Sequence, residues 1–371
     1  MNRESLREAK RIVIKVGSSS ITYPTGSVNI GKMERLVREL SDLHNAGREV
    51  ILTSSGAVAA GVGKLEQRPA SLPQKQAMAA IGQALLMQMY EKLFSEYSRS
   101  IAQLLLTRDC FSDPARYHHS RNTLFALMKY GVIPIVNEND TVAVEELKFG
   151  DNDHLSAMVA CCADADLLVI LSDISGLYDA DPRRCPEARL IPEVTAITPE
   201  MEANSTTRGS SMSSGGMATK LGAARMTMAN GIPMVIASSD EPNVIRRIAE
   251  GEDIGTCFVP TREGYTARRQ WLSAGALPQG TLHVDQGAEH ALLHMGRSLL
   301  PSGVLRVEGD FPAGSVVAIR GESGQKIAHG ISSYSSEDAR RILGRHSEEI
   351  EGILGVCDFE ELVHRNNMAL I

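Results

Sequence analysis

Six short apolar runs punctuate the first two-thirds of the chain. They are residues 11–16 (RIVIKV), 49–53 (EVILT), 101–106 (IAQLLL), 132–136 (VIPIV), 167–171 (LLVIL) and 232–236 (IPMVI). Polar and apolar positions barely alternate within them, which is the pattern of strands buried on both faces of a parallel sheet. Between them the pattern becomes helical, over 32–45, 73–97, 114–130, 153–163 and 216–230. Gly47, Gly131 and Gly231 stand where three of these stretches should stop, as a left-handed helix terminus requires. Strand, helix and strand in this order predict right-handed crossovers and a three-layer α/β/α sandwich with a mainly parallel sheet.

After residue 278 the rhythm changes. The segments are short and turn-rich (GTLHVD, GVLRVEG, GSVVAIRGESGQKIAHG), and 315–330 reads as a β-hairpin turning at 322–324. The expected organisation is an α/β domain over 1–262, a linker over 263–278 that carries the only tryptophan, Trp271, and a small, mostly β domain over 279–371.

Composition narrows the function classes. With 371 residues, 43% hydrophobic and 22% charged, the chain has enough apolar surface for two cores. No run of about 18 apolar residues suggests a membrane span. The first twenty residues lack the apolar core and small-residue cleavage site of a signal peptide, so a cytoplasmic location is expected. Six cysteines without a CxxC spacing read as reduced thiols. The net charge is −7, which disfavours a protein whose main work is coating nucleic acid. The acidity is uneven: residues 278–371 carry 8 Lys or Arg against 13 Asp or Glu, a net −5, and the rest of the chain holds only −2. His290 and His294 are spaced i, i+4 but lack a third ligand, so no protein-built metal site is expected.

In a parallel α/β sheet ligands gather at the carboxyl ends of strands. Polar groups collect at five of these ends. The first strand leads into Lys15-Val16-Gly17-Ser18-Ser19-Ser20, which offers a cation and backbone amides to phosphate. The second leads into Ser54-Ser55-Gly56-Ala57-Val58-Ala59-Ala60-Gly61. Such small residues either let a helix N-terminus approach an anion or simply pack tightly. After VIPIV come Asn137-Glu138-Asn139-Asp140 and then Gly150-Asp151-Asn152-Asp153-His154. These carboxamides and carboxylates suit an ammonium group, a metal or a pair of lysines, although Asp153 alone reads equally as an N-cap. Ser172 and Asp173 end the fifth strand, and Ser214-Gly215-Gly216-Met217-Ala218-Thr219-Lys220 opens a helix as a second glycine-rich phosphate loop. No GxxxxGK[ST], kinase HRD/DFG set or well-placed GxGxxG is present. Two lysines on separate loops, two glycine-rich turns and an acidic cluster point to phosphoryl transfer without a P-loop.

The motifs KVGSS, SSGAVAAG, MAAIGQ, QLLLTRD, PIVNENDTVAVEELKFGDNDHLSA, LSDISGLYDADPR and SGGMATK, in this order, resemble the amino acid kinase family. The block over 134–157 resembles the branch that acts on L-glutamate. LHVDQGAEHAL, SLLPSGV, VEGDF, GQKIAHG and ELVHRNNM resemble a PUA domain. The resemblance implies transfer of the γ-phosphoryl group of ATP to the side-chain carboxylate of L-glutamate, the first step of proline biosynthesis. It implies that Lys15 and Lys220 neutralise the moving phosphoryl group and that Asp153 orients them. Ser55, Asp140 and Asn152 would bind glutamate, aided by Asn137 and Asp151. Lys15, Ser172, Asp173 and residues 214–220 would bind ATP, with Mg²⁺ held mainly by nucleotide and water. It further implies a homo-oligomer (dimer or tetramer), feedback inhibition by L-proline and association with glutamyl phosphate reductase. Two rivals stay open at this point: another amino acid kinase, acting on acetylglutamate or aspartate, and an RNA-binding protein with a relict kinase domain. PUA domains elsewhere bind RNA, but the −5 charge of this segment opposes it.

Overall fold

The computed structural model describes residues 3–143, 152–182, 185, 187–204, 216–260, 278–355, 357 and 359–370. Its residues divide into two compact units, one of 1–109 with 126–262, the other of 110–125 with 263–371.

The apolar runs of the first unit become strands of one eight-stranded sheet. In chain order its elements are β1 (Arg11–Val16), α1 (Ser18–Ile21), α2 (Ile30–Asn45), β2 (Glu49–Ser54), α3 (Ala57–Leu65), α4 (Leu72–Ser95) and β3 (Ile101–Leu106). After α5 (Asp109–Ser112) and α6 (Pro114–Lys129) follow β4 (Ile133–Glu138), α7 (Asn152–Cys162), β5 (Leu167–Ser172), β6 (Glu193–Val194) and α8 (Pro199–Asn204). The unit closes with α9 (Met217–Ala229), β7 (Met234–Ser238), α10 (Val244–Ala249) and β8 (Thr256–Phe258). The strand order is β3-β4-β2-β1-β5-β7-β8-β6. Every pairing is parallel except β7 with β8. β1 and β5 lie in the middle and are buried almost throughout, as their unbroken apolar runs require.

The strand ends differ from the sequence reading in two informative places. β4 runs on through Asn137 and Glu138, so a polar residue expected in the following loop sits on the sheet itself. β7 starts at Met234 rather than at residue 232, because Gly231 (φ +75°) reverses the chain and Pro233 brings no N–H to a ladder. The short elements β6, β8, α8 and α10 carry too few residues for a readable period.

In the second unit β9 (Gly280–Val284), β10 (Val304–Glu308), β11 (Val316–Arg320), β12 (Lys326–Ile331) and β13 (Met368–Leu370) form a sheet of order β10-β9-β11-β12-β13. The expected hairpin is β11–β12, antiparallel, with Gly324 at φ +81° in its turn. Leu282, Val284, Ile319 and Leu362 are fully buried in its core. Residues 110–125 belong to this unit through aromatic packing: the rings of His118 and Phe125 lie 6.2 and 6.0 Å from that of Phe359. All six cysteines are free thiols, and burial pushes that of Cys257 up to about 11. Among the described residues no helix is long and apolar enough to cross a membrane.

Candidate active site

The register of the central strands brings the functional ends level. Lys15 on β1 pairs with Thr53 on β2 and Ile170 on β5. Its side chain is only 5% exposed and runs to Asp153, Nζ to Oδ1 2.6 Å. Asp153 lies in the first turn of α7 and is fully buried. Its carboxylate does not cap its helix; Oδ2 instead takes Lys220 Nζ at 3.1 Å and the Thr219 hydroxyl at 2.9 Å, both from the first turn of α9. Thr219 also lies 2.8 Å from the carbonyl of Gly216, the N-cap residue.

Burying three charges is tolerable only because they are paired and hydrogen-bonded. One carboxylate between two ammonium groups gives this buried trio a formal charge of +1. That is a fixed electrostatic receptor for an anion, strengthened by the start of α9 beside it.

Asn152, the neighbour of Asp153 on α7, opens a second cluster. Its Nδ2 donates to Ser55 Oγ (2.8 Å), to Asn137 Oδ1 (2.9 Å) and to the Ser54 carbonyl (3.2 Å). Asn137 in turn donates to Gln83 Oε1 on α4 (2.8 Å) and accepts from the Glu138 backbone N–H (2.9 Å). Beneath them the hydroxyls of Ser54 and Tyr90 lie 2.8 Å apart in the core, and burial pushes the Tyr90 phenol far above its ordinary range. This cluster is uncharged and directional, suited to reading the shape of a polar ligand rather than neutralising it. Two adjacent helix residues therefore tie a cationic pocket to a neutral one.

The turn between β2 and α3 is built for close approach. Gly56 caps α3 with φ +101° and no side-chain cap, which leaves the first amides of α3 free of an intrahelical partner. The other small residues of this stretch serve packing: a Cβ on Gly61 would meet the Met78 carbonyl oxygen at 2.0 Å, and one on Gly82 the Ala57 carbonyl oxygen at 1.8 Å. The packing reading of SSGAVAAG holds at Gly61, while the left-handed Gly56 opens the start of α3.

The remaining expected residues spread along the same edge. Ser172 ends β5 and its hydroxyl reaches Asp173 Oδ1 at 3.2 Å. Asp140 stands in the turn after β4, and Gly216, Met217 and Ala218 start α9. Asp151, Ser214 and Gly215 lie outside the described residues. Gln83 and Tyr90 enter the cluster without having been singled out. Gln83 sits in the motif MAAIGQ, but nothing in a helical period says which polar residue turns toward a site. Among the described residues no group of three or more His, Cys, Asp or Glu could hold a metal ion.

The chain matches the amino acid kinase family over residues 10–238 and the PUA domain over 280–354. It is 52% identical over 372 residues to a protein of Carboxydothermus hydrogenoformans named glutamate 5-kinase, with 100% of both chains covered. It is 51% identical to the glutamate 5-kinase of Moorella thermoacetica, over 100% of this chain and 98% of that one. Carbamate kinase from Giardia lamblia, solved with AMP-PNP bound, resembles 69% of this chain over 100% of its own, with a TM-score of 0.49 and 19% identity.

Proposed function

The chain belongs to the glutamate 5-kinase family of amino acid kinases, and from that membership we propose how its residues carry out ATP-dependent phosphorylation of the side-chain carboxylate of L-glutamate, the first step of proline biosynthesis. The observation that carries the reading is the buried Lys15–Asp153–Lys220 trio.

The nucleophile brings its own charge. A glutamate side chain has a reference pKa of about 4.3 and is ionised at neutral pH, so no general base is needed. A carboxylate oxygen attacks the γ-phosphorus, the bond to the β,γ-bridging oxygen breaks, and ADP leaves with that electron pair. The barrier is repulsion between two anions. Lys15 and Lys220 lower it by meeting the charge that passes between them, while Asp153 keeps them from repelling each other. Asn152 Oδ1 faces the substrate ammonium, and Ser55, Asn137, Asp140 and Asp151 hold the rest of glutamate. Ser172, Asp173 and residues 214–220 take the nucleotide. The two oxygens of Asp153 are engaged by Lys15 and by Lys220 with Thr219, so this carboxylate is no ready metal ligand. Mg²⁺ would arrive on the phosphates and neutralise their oxygens.

In this proposal 1–262 is the kinase domain, 263–278 the linker and 279–371 the PUA domain. L-Proline as feedback inhibitor, a homo-oligomeric state, association with glutamyl phosphate reductase and a cytoplasmic location complete the proposal; RNA binding by the PUA domain is opposed by its acidity. An ATP-dependent hydroxamate assay over L-glutamate, N-acetylglutamate and aspartate tests the core of it. Turnover with L-glutamate is expected, and turnover only with another acid would overturn it. A tight RNA complex without glutamate-dependent ATP turnover would instead favour the relict-kinase reading. Repeating the assay with proline tests the feedback.

A further inference from the structure

The amide chain of the neutral cluster begins one link earlier than the residues assigned above. Gln83 follows Gly82 on α4, where the close crossing with α3 brings the helix to the sheet edge. The orientation of Asn137 is not free. The Glu138 backbone N–H can only donate and lies 2.9 Å from Asn137 Oδ1, so that atom must be the oxygen. Asn137 is 3% exposed, and its Nδ2 therefore needs a protein acceptor, which Gln83 Oε1 supplies at 2.8 Å.

The far end of the chain is pinned in the same way. The Ser54 carbonyl can only accept, and it lies 3.2 Å from Asn152 Nδ2. With Asn137 Oδ1 and Ser55 Oγ also accepting from that nitrogen, the Nδ2 protons are committed and Oδ1 is the end of Asn152 left to a ligand. Ser55 Oγ accepts from Asn152 and keeps its own proton to give. The cluster thus offers one acceptor and one donor, the complement of an ammonium beside a carboxylate.

We propose that Gln83 is a positioning residue that holds this amide chain in place by satisfying Asn137 Nδ2, and with it the preference for a dicarboxylate bearing a free α-ammonium group over one without. The proposal rests on the glutamate reading given above. Without the Gln83 acceptor, the buried Asn137 Nδ2 is left unsatisfied. Turning the Asn137 amide to find another acceptor withdraws its Oδ1 from Asn152. Asn152 Nδ2 then keeps only the Ser54 carbonyl and Ser55 Oγ, and its Oδ1 is held less firmly toward the substrate ammonium.

The test is Gln83→Met, near in size but without the acceptor, with glutarate as the competing dicarboxylate that lacks the amine. Loss of one oriented hydrogen bond predicts a KM for L-glutamate about tenfold higher. The ratio of the glutarate inhibition constant to that KM should fall by about the same factor. KM for ATP and the Tm should stay unchanged. Gln83→Glu keeps an acceptor facing Asn137 and should restore the ratio. An unchanged ratio in Gln83→Met overturns the proposal, and so does a rise in both KM values with a lowered Tm, which marks a structural role. Wild-type protein with no glutamate-dependent turnover would instead overturn the underlying reading, and the proposal with it.

Discussion

One buried carboxylate between two buried lysines gives the trio a formal charge of +1, and the proposed mechanism rests on that charge. Lys15 and Lys220 are 4% and 5% exposed, so little water screens them. Lys220→Ala should lower kcat for glutamate phosphorylation by about 10²-fold or more, as expected for loss of a main electrostatic stabiliser. Asp140→Ala should instead raise KM for glutamate strongly while kcat at saturation changes less. Steady-state kinetics on the two variants separates charge neutralisation from substrate binding. Lys15, Asp153 and Lys220 stood out in the sequence because each lies at the end of a strand or in the first turn of a helix at the expected sheet edge. That Asp153 lies between the lysines was an expectation of the family resemblance; the spacing alone left the N-cap reading open, since a helix start offers a carboxylate both uses.

At the scale of elements, glycines decide which helices touch. The crossing of α3 and α4 places the Ala57 carbonyl oxygen where a Cβ on Gly82 would be, 1.8 Å away. Gly82→Ala must push backbone aside, which costs roughly 1–3 kcal/mol as overpacking. Because Gln83 is next in the chain, the change should also raise KM for glutamate; urea titration and kinetics together check both effects. Glu39 of α2 accepts the Ile245 backbone N–H of α10 at 2.9 Å. Burial raises its pKa above the ordinary 4.5, against the pull of backbone N–H groups and nearby arginines. The folded state therefore holds that proton more tightly than the unfolded chain, and ionised Glu39 costs stability above its folded-state pKa. Glu39→Gln should raise the Tm at pH 7. The gain should shrink as pH falls through the raised pKa and vanish below about 4.5, which melting curves across pH would show.

At the scale of the whole molecule, sequence order and spatial order part. Residues 110–125 sit in the middle of the kinase sequence yet group with the C-terminal segment, where Phe125 packs near Phe359 and carries Arg121 4.4 Å over its own ring. A chain ending at residue 262 keeps His118 and Phe125 but loses Phe359. Such a truncation should bind more of a hydrophobic dye than the full chain, as newly bared apolar surface does; fluorescence titration reads this directly, and equal binding would mean that 110–125 has found other cover.

The amino-acid sequence by itself determined the elements and the kind of chemistry. Runs such as RIVIKV and LLVIL can bury both faces only in a covered parallel sheet, and two lysines beside glycine-rich turns suit little but an anion. These are local properties, written in neighbouring residues. The tertiary structure alone decided which side chains meet. Lys15 and Lys220 are 205 positions apart and Gln83 and Asn137 are 54 apart, so no period or spacing couples them. The register of β1, β2, β4 and β5 and the glycine-tight crossing of α3 with α4 do. The uneven acidity seen at the start belongs to the same division: its location could be counted along the chain, whereas the packing of 110–125 with that acidic segment required the folded molecule.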